Sequence, residues 1–257
     1  MNPLLRALAL GSLFLALNAQ AEIPAEIRVY DDGIGEAGEW GFEIHSSRTL
    51  RRSRVREANG ELPTDLGLRV TPEISYAFGP RTELSILFPS VIDRHGDTHL
   101  GGQQLQLKWI FAPAPEDGGV FAGINGELVT ATRRFDERRN SVELRPIVGY
   151  RDDDWLLVAN LLASYGLPRK QHRGGFDLSP AFKVARSVAP GVRLGIETYS
   201  ELGKLAHPAP RPQQEHTAYL TLDVEHRGWQ INLGLGRGLN AATDPWILKT
   251  IVEFPID

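Results

Sequence analysis

The sequence predicts an all-β fold: a single antiparallel transmembrane β-barrel of about twelve strands, with short periplasmic turns and longer extracellular loops. Three observations support this prediction. Apolar and polar residues alternate along most of the chain, the connections alternate between short and long, and an apolar leader opens the sequence. Together they indicate an exported protein that crosses the bacterial outer membrane with strands.

The leader has the features of a signal peptide. An apolar run follows Arg6, and a small-x-small cleavage site, AQA, ends at Ala21. The run is shorter than the ~20 residues that a spanning helix needs, which argues against a membrane anchor. We therefore divide the chain into a signal peptide at residues 1–21, an N-terminal periplasmic segment at 22–37 and the barrel at 38–257.

The composition excludes several other classes of protein. The 257 residues contain no Cys, which rules out disulfides, thiolate metal sites and cysteine nucleophiles. Lys and Arg number 28 against 32 Asp and Glu, and this formal net charge of −4 gives no sign of a nucleic-acid partner. A hydrophobic fraction of 42% is too high for a disordered acidic chain.

The alternation is clearest in the stretch LGLRVTPEISYAF, residues 66–78. Apolar side chains occupy the even positions, whereas Arg69, Thr71 and Glu73 occupy odd ones. A strand places these two sets on opposite faces, but a helix would scatter the charges around its axis. Similar runs lie near residues 38–50, 66–78, 82–92, 100–111, 119–133, 140–150, 154–165, 176–187, 191–202, 214–226, 228–237 and 245–254.

The connections and the aromatic residues favour a barrel over the alternative, a secreted β-sandwich. Short turns such as FGPRT and RDDD alternate with long loops such as RRSRVREANGELPTD, which is the outer-membrane pattern. Aromatic residues of the apolar parity lie near strand ends, nearly all at the periplasmic end, as in an interfacial girdle. They are Trp40, Tyr76, Phe78, Trp109, Phe111, Tyr150, Trp155, Trp229 and Phe254.

The opposite parity carries charges that we predict to line the lumen. They indicate a water-accessible pore whose charges select a small solute. The alternative is a lumen filled by its own paired charges. Acidic and basic residues are mixed, so strong anion or cation selectivity does not follow. The predicted lumen residues are Glu43, Arg69, Glu73, Lys108, Glu127, Glu143, Arg145, Lys183, Arg193, Glu197, Lys249 and Glu253.

Arginine residues concentrate in the predicted outer loops. Guanidinium groups suit the phosphates of lipopolysaccharide, so we predict contacts with outer-membrane lipid and lipopolysaccharide there. Ordinary solvated loop charge is the alternative. The predicted contact residues are Arg51, Arg52, Arg54, Arg138 and Arg139.

Two other chemistries are weaker candidates. The loop at 93–99, DRHGDTH, places carboxylates and imidazoles at alternate positions that could bind a divalent metal, but surface loops often contain both without one. A membrane-embedded lipid hydrolase would need a Ser–His pair, for which His45 with Ser46 or Ser47, and His216 or His226, are available. The G-x-S-x-G pattern is missing. We therefore assign no catalytic residue, no metal and no cofactor, and we do not expect an enzyme.

The stretch EIPAEIRVYDDGIGEA, residues 22–37, has only a weak apolar pattern. It fits either a periplasmic extension or a plug inserted into the barrel. Its charge and glycine content favour a loose segment.

The stretches EAGEWGFEIHSSRTL and LRVTPEISYAFGPRTELSILFPS resemble the outer-membrane barrels grouped as the MetA-pathway of phenol degradation family. The resemblance covers residues 36–90. It implies a channel or transporter for small, hydrophobic or aromatic solutes, and it supplies no catalytic residues. The alternatives are a closed structural barrel that contacts lipopolysaccharide and, less favoured, the lipid hydrolase.

The last residues of the sequence concern recognition by the barrel insertion machinery. In many barrels this machinery recognises a terminal aromatic residue. Val252 and Phe254 keep the apolar-x-aromatic spacing of that signal, but Pro255, Ile256 and Asp257 follow. Pro255 is acceptable at a strand end because no N–H is needed there. We predict recognition by the machinery.

Overall fold

The computed structural model describes residues 26–51, 67–93, 95–132, 140–167 and 175–255, and 72% of them are in strands. The predicted leader at 1–21 and the loop arginines Arg52, Arg54, Arg138 and Arg139 lie outside these ranges. The strands are β1 (Trp40–Arg51), β2 (Leu68–Gly79), β3 (Thr82–Leu87), β4 (Ser90–Ile92), β5 (Thr98–Leu100), β6 (Gly102–Ala112), β7 (Gly119–Ala131), β8 (Asn140–Arg151), β9 (Trp155–Gly166), β10 (Phe176–Ala189), β11 (Val192–Glu201), β12 (Gly203–Lys204), β13 (His207–Pro208), β14 (Glu215–His226), β15 (Trp229–Gly238) and β16 (Trp246–Phe254), with a 3-10 turn at Arg211–Gln213.

Twelve of these strands close an antiparallel barrel, as the sequence predicts. The order is β1-β2-β3-β6-β7-β8-β9-β10-β11-β14-β15-β16, and β16 pairs with β1 to close the ring. The short strands β4 and β5 pair with each other, and β4 extends the ladder of β2. The predicted run at 82–92 is therefore two strands, separated at Pro89, which has no N–H to donate to a ladder.

Short turns lie at one end of the barrel, which we call the turn end; the opposite end is the loop end. Trp40 pairs with Tyr76 and Phe42 pairs with Phe254, so β1 begins and β16 ends at the turn end.

In the turn between β8 and β9, Asp152 accepts hydrogen bonds from the N–H groups of Trp155 (2.7 Å) and Asp154 (2.9 Å). These hydrogen bonds lower the pKa of Asp152 and hold the turn closed.

The alternation of the sequence separates the two faces of the barrel. Leu128, Leu194 and Ile196 are 56%, 47% and 57% exposed on the outer surface, whereas Glu127 and Glu197 on the other parity are buried. A closed barrel satisfies its backbone hydrogen bonds internally, and an apolar outer band is stable against lipid. Among the residues that the structure describes, no helix is long and apolar enough to cross a membrane.

The predicted aromatic girdle is present at the turn end. Trp40 packs on Tyr76 with ring centroids 4.9 Å apart, and Trp109 packs on Phe111 at 5.6 Å. Phe254 contacts Trp229 at 5.0 Å. Rings at this level suit the boundary between lipid tails and headgroups.

Glycines on the inner face make room for large side chains from the next strand. A Cβ at Gly236 would lie 2.4 Å from the ring of Tyr219, its cross-strand partner, and one at Gly149 would lie 2.2 Å from the ring of Phe121. The rings therefore lie over glycine positions of the wall. This packing fills part of the interior.

We expect Gly236→Ala to lower the free energy of unfolding by about 1–3 kcal/mol, because the added methyl group overpacks the Tyr219 ring. Urea unfolding of the refolded barrel in detergent micelles measures this change. Gly126→Ala is the matched control, since a Cβ at Gly126 meets nothing within 4 Å. Equal losses of stability in the two variants would contradict the overpacking explanation.

Candidate functional site

Residues 26–35, which we call the N-terminal segment, lie inside the barrel. The backbone of Tyr30 is held by Asn160 of β9, which accepts from Tyr30 N (2.7 Å) and donates to Tyr30 O (2.9 Å). Lys249 of β16 donates to the carbonyl oxygen of Ile27 (3.0 Å). β9 and β16 lie on nearly opposite sides of the ring, so a segment that contacts both crosses the lumen between them.

Of the two alternatives for 22–37, residues 26–32 occupy the position of an inserted segment, whereas Gly33 and residues 35–37 are exposed. Val29 and Tyr30 are 6% and 3% exposed, so both are enclosed by the wall. Nearer the turn end, the carboxylate of Asp32 lies 3.3 Å from Arg151 Nε, and Gly35 N donates to Glu83 Oε2 at 3.4 Å. Three charged groups of the segment thus have partners on the strands: Glu26 with Arg145, Arg28 with Glu43 and Asp32 with Arg151.

One polar cluster surrounds Tyr30 at mid-height. The Tyr30 hydroxyl lies 2.6 Å from Glu26 Oε1 and 2.8 Å from Gln106 Oε1. The Arg145 guanidinium lies over the Tyr30 ring, 4.5 Å from its centroid, and pairs with Glu127 (3.2 Å) and Glu26 (3.4 Å). The N-terminal segment is thus bound by cation–π contact, ion pairs and hydrogen bonds together.

His45 of β1 joins this cluster from the other side. Its Nε2 lies 2.9 Å from Glu73 Oε2 and 3.6 Å from Glu43 Oε2. Glu43 in turn pairs with Arg28 of the N-terminal segment at 2.7 Å. Two adjacent strands, β1 and β2, therefore present a buried imidazole and two carboxylates to the segment.

A second cluster centres on Glu197 of β11. Lys183 lies 3.3 Å from one oxygen of this carboxylate, and Lys249 and the Tyr199 hydroxyl both donate to the other. Lys183 also pairs with Asp223 at 2.8 Å. Glu197 is 1% exposed, so its carboxylate is stabilised by Lys183, Lys249 and Tyr199 rather than by water.

The lumen also has an apolar side that the charged positions do not reveal. Val29 packs against inward side chains of β7 to β10, so the barrel interior is not uniformly polar. Residues of these strands in the apolar cluster are Phe121, Ile147, Leu156, Val158, Ala181 and Ala185. An apolar wall next to two charged clusters gives the interior an amphipathic surface.

All of the predicted lumen residues are buried or half-buried in the barrel. Lys108 pairs with Glu83 at 3.5 Å, and Glu143 accepts hydrogen bonds from Ser141 and Ser164. Those buried are Glu73, Lys108, Glu127, Glu143, Arg145, Lys183, Glu197 and Lys249. Those half-buried are Glu43, Arg69, Arg193 and Glu253. Whether they select a solute stays a prediction.

The sequence-based list was confined to acidic and basic residues, so it missed the neutral partners. Tyr30, His45, Asn160 and Tyr199 hold the two clusters together. His45 and Tyr199 share the inward parity of charged neighbours on their strands, and that parity is the signal that identifies them. Asn160 carries no such signal, because β9 has no charged residue. Tyr30 carries no such signal, because its segment does not alternate.

The loop-end candidates have other partners. Asp93 accepts from the backbone N–H groups of His95 (2.8 Å) and Asp97 (3.1 Å), and it lies 2.9 Å from His99 Nε2. The hydrogen bond from His99 lowers the pKa of Asp93 from 3.8 to about 2. These contacts close the loop on itself. Arg51, the last residue of β1, is exposed, and its contact with lipopolysaccharide stays a prediction.

The structure pairs one of the histidines considered for hydrolysis with a serine. His216 Nδ1 lies 2.8 Å from Ser200 Oγ on the neighbouring strand, towards the loop end. Within the described ranges, no carboxylate is hydrogen-bonded to the other nitrogen of this imidazole, where a triad has its orienting acid. His45 contacts Glu73 rather than Ser46 or Ser47.

Comparison with known proteins gives likeness in structure alone. No protein-family model and no curated protein sequence matches this chain. It is similar to the KdgM porin, with 10% identity, a TM-score of 0.52, and coverage of 85% of this chain and 100% of the other. It is also similar to the COG4313 outer membrane channel from Pseudomonas putida F1, with 14% identity, a TM-score of 0.57, and coverage of 89% and 99%.

The KdgM porin solved in complex with disordered oligogalacturonate gives a similar result, with 10% identity, a TM-score of 0.51 and coverage of 85% and 100%. At these identities the likeness shows the fold, a closed barrel of the kind that spans the bacterial outer membrane. The resemblance to the phenol degradation family and recognition by the barrel insertion machinery stay predictions.

Proposed function

We propose that the protein is a passive channel for small solutes in the bacterial outer membrane, with a bore that its own N-terminal segment narrows. The observation that carries this proposal is the segment itself, which crosses the lumen and contacts walls on nearly opposite sides. The fold shared with a porin and an outer-membrane channel supports the same conclusion.

The chemistry of the lumen supports small amphipathic solutes. Charged groups of both signs keep some exposure, with the Arg28 and Asp223 side chains each 23% exposed. The apolar side of the lumen, around Phe121 and Ile147, is covered by Val29, so a hydrophobic or aromatic part of the same solute would reach it by displacing the N-terminal segment. A mixed lining of this kind favours molecules with both characters over simple ions.

The test is the single-channel conductance of the refolded protein in a planar bilayer. We expect ohmic conductance, and we expect Asp223→Asn to shift the reversal potential in a salt gradient towards anions, because one lumen carboxylate is lost. Leu194→Ala changes the outer surface of the neighbouring β11 and is the control, which should leave selectivity unchanged. A silent bilayer from a folded barrel would overturn the channel proposal.

A further inference from the structure

Three buried side chains at mid-height combine the donor types of a metal site. Glu26 of the N-terminal segment, His45 of β1 and Glu73 of β2 each offer one ligand atom, and these atoms all lie within 4.8 Å of one another. Their side chains are only 5%, 3% and 4% exposed. One imidazole with carboxylates is a donor set that suits Zn²⁺ and related divalent transition metals.

Two of the donor atoms face each other with no hydrogen-bond partner. They are Glu26 Oε2 and His45 Nδ1, both fully buried and 3.9 Å apart. Buried polar atoms are nearly always satisfied, so an unpaired oxygen and an unpaired nitrogen across one gap need an explanation. The gap is too wide for a direct hydrogen bond, but it is less than twice a zinc–ligand distance of ~2.1 Å. A single ion between them would contact both.

The other side of the imidazole is arranged as in metal-binding histidines. His45 Nε2 lies 2.9 Å from Glu73 Oε2, so its N–H donates to that carboxylate and the lone pair is left on Nδ1. The nitrogen that faces Glu26 is therefore the one able to bind a cation. Glu73 then serves as the positioning residue, since it sets the tautomer and the plane of the ring.

The charge around this gap favours a cation. The carboxylates of Glu26, Glu43, Glu73 and Glu127 are joined through His45, Arg28 and Arg145 in one set of ion pairs. With His45 neutral, the carboxylates outnumber the guanidinium groups by two. A divalent cation would balance them in a site from which water is largely excluded.

We infer that Glu26 and His45 bind a divalent transition-metal ion, with Glu73 positioning the imidazole, and that this ion ties the N-terminal segment to the wall formed by β1 and β2. The site goes beyond the proposed channel function, because binding is measured without any solute or conductance. A barrel that conducts and binds no metal would refute this site alone.

The experiment is calorimetric titration of Zn²⁺ into the metal-stripped, refolded chain of residues 22–257 in detergent micelles. We expect one Zn²⁺ per barrel, and loss of binding in Glu26→Gln and His45→Gln. Glu73→Gln should weaken the affinity by about 10–100-fold, the usual effect of removing the acceptor behind a metal-binding histidine. Glu26 lies outside the strands, so its substitution leaves the barrel ladder intact.

His99→Gln is the matched control, because His99 makes the same 2.9 Å contact with a carboxylate, Asp93, in the loop between β4 and β5. It should retain one Zn²⁺ per barrel. As a second measurement, Zn²⁺ should slow tryptic cleavage after Arg28 in the wild type and not in His45→Gln. The inference is overturned if the wild type binds no Zn²⁺, or if one Zn²⁺ per barrel still binds to His45→Gln.

Discussion

A barrel that lacks residues 22–34 is expected to conduct several-fold more current than the intact protein. The N-terminal segment crosses the lumen and contacts β9 through Tyr30 and β16 through Ile27, so its removal should widen the lumen at this level. The deletion also removes Val29, which packs on the apolar cluster of β7 to β10. The lumen should therefore widen beside that cluster as well. Single-channel recording of the two refolded proteins in planar bilayers measures the change.

The barrel itself should survive this deletion, because the wall charges keep partners on the wall. Arg145 still pairs with Glu127, and His45 still pairs with Glu73. Circular dichroism and heat-modifiable migration check that the fold is retained.

A variant in which a Gly-Ser stretch of equal length replaces 22–34 is the control for chain length. It should conduct like the deletion, since a flexible stretch lacks the contacts that hold the segment across the lumen. Conductance equal to that of the wild type in both variants would show that the segment does not restrict the path. The proposed narrowing of the bore would then be wrong.

The largest loss of stability from a single substitution is expected at the cluster around Glu197. Glu197→Gln removes a buried carboxylate that accepts from Lys183, Lys249 and Tyr199. Lys183 keeps Asp223, but Lys249 is left as a buried cation with only neutral partners. Removing one partner of a buried ion pair typically costs about 3–5 kcal/mol. The free energy of unfolding should fall by that amount.

The double variant Glu197→Gln/Lys249→Gln separates this effect from loss of packing. Removing both charges leaves no uncompensated cation, so the double variant should be more stable than Glu197→Gln alone. Urea unfolding in micelles, followed by tryptophan fluorescence, gives both values. A double variant that is less stable than the single one would show that the cluster is not governed by paired charge.

Much of this molecule follows from local sequence, and the reason is the period of a strand. Side chains of a strand alternate between two faces, so the outward position of Leu194 and the inward position of Glu197 are set by parity alone. The same parity places Trp40 and Trp109 in the girdle. Closure of twelve strands follows from the number of such runs and from the alternation of short and long connections.

The contents of the lumen were decided only by the tertiary structure. The N-terminal segment has no period that marks a buried face, and its Tyr30 meets Asn160 and Gln106 across more than seventy residues of sequence. The juxtaposition of Glu26 with His45 likewise exists only once β1 and β2 form one wall and the segment lies against it. Parity determines which side chains face inward, but closure of the ring determines which of them meet. Contacts across a barrel depend on its curvature and register rather than on neighbours along the chain.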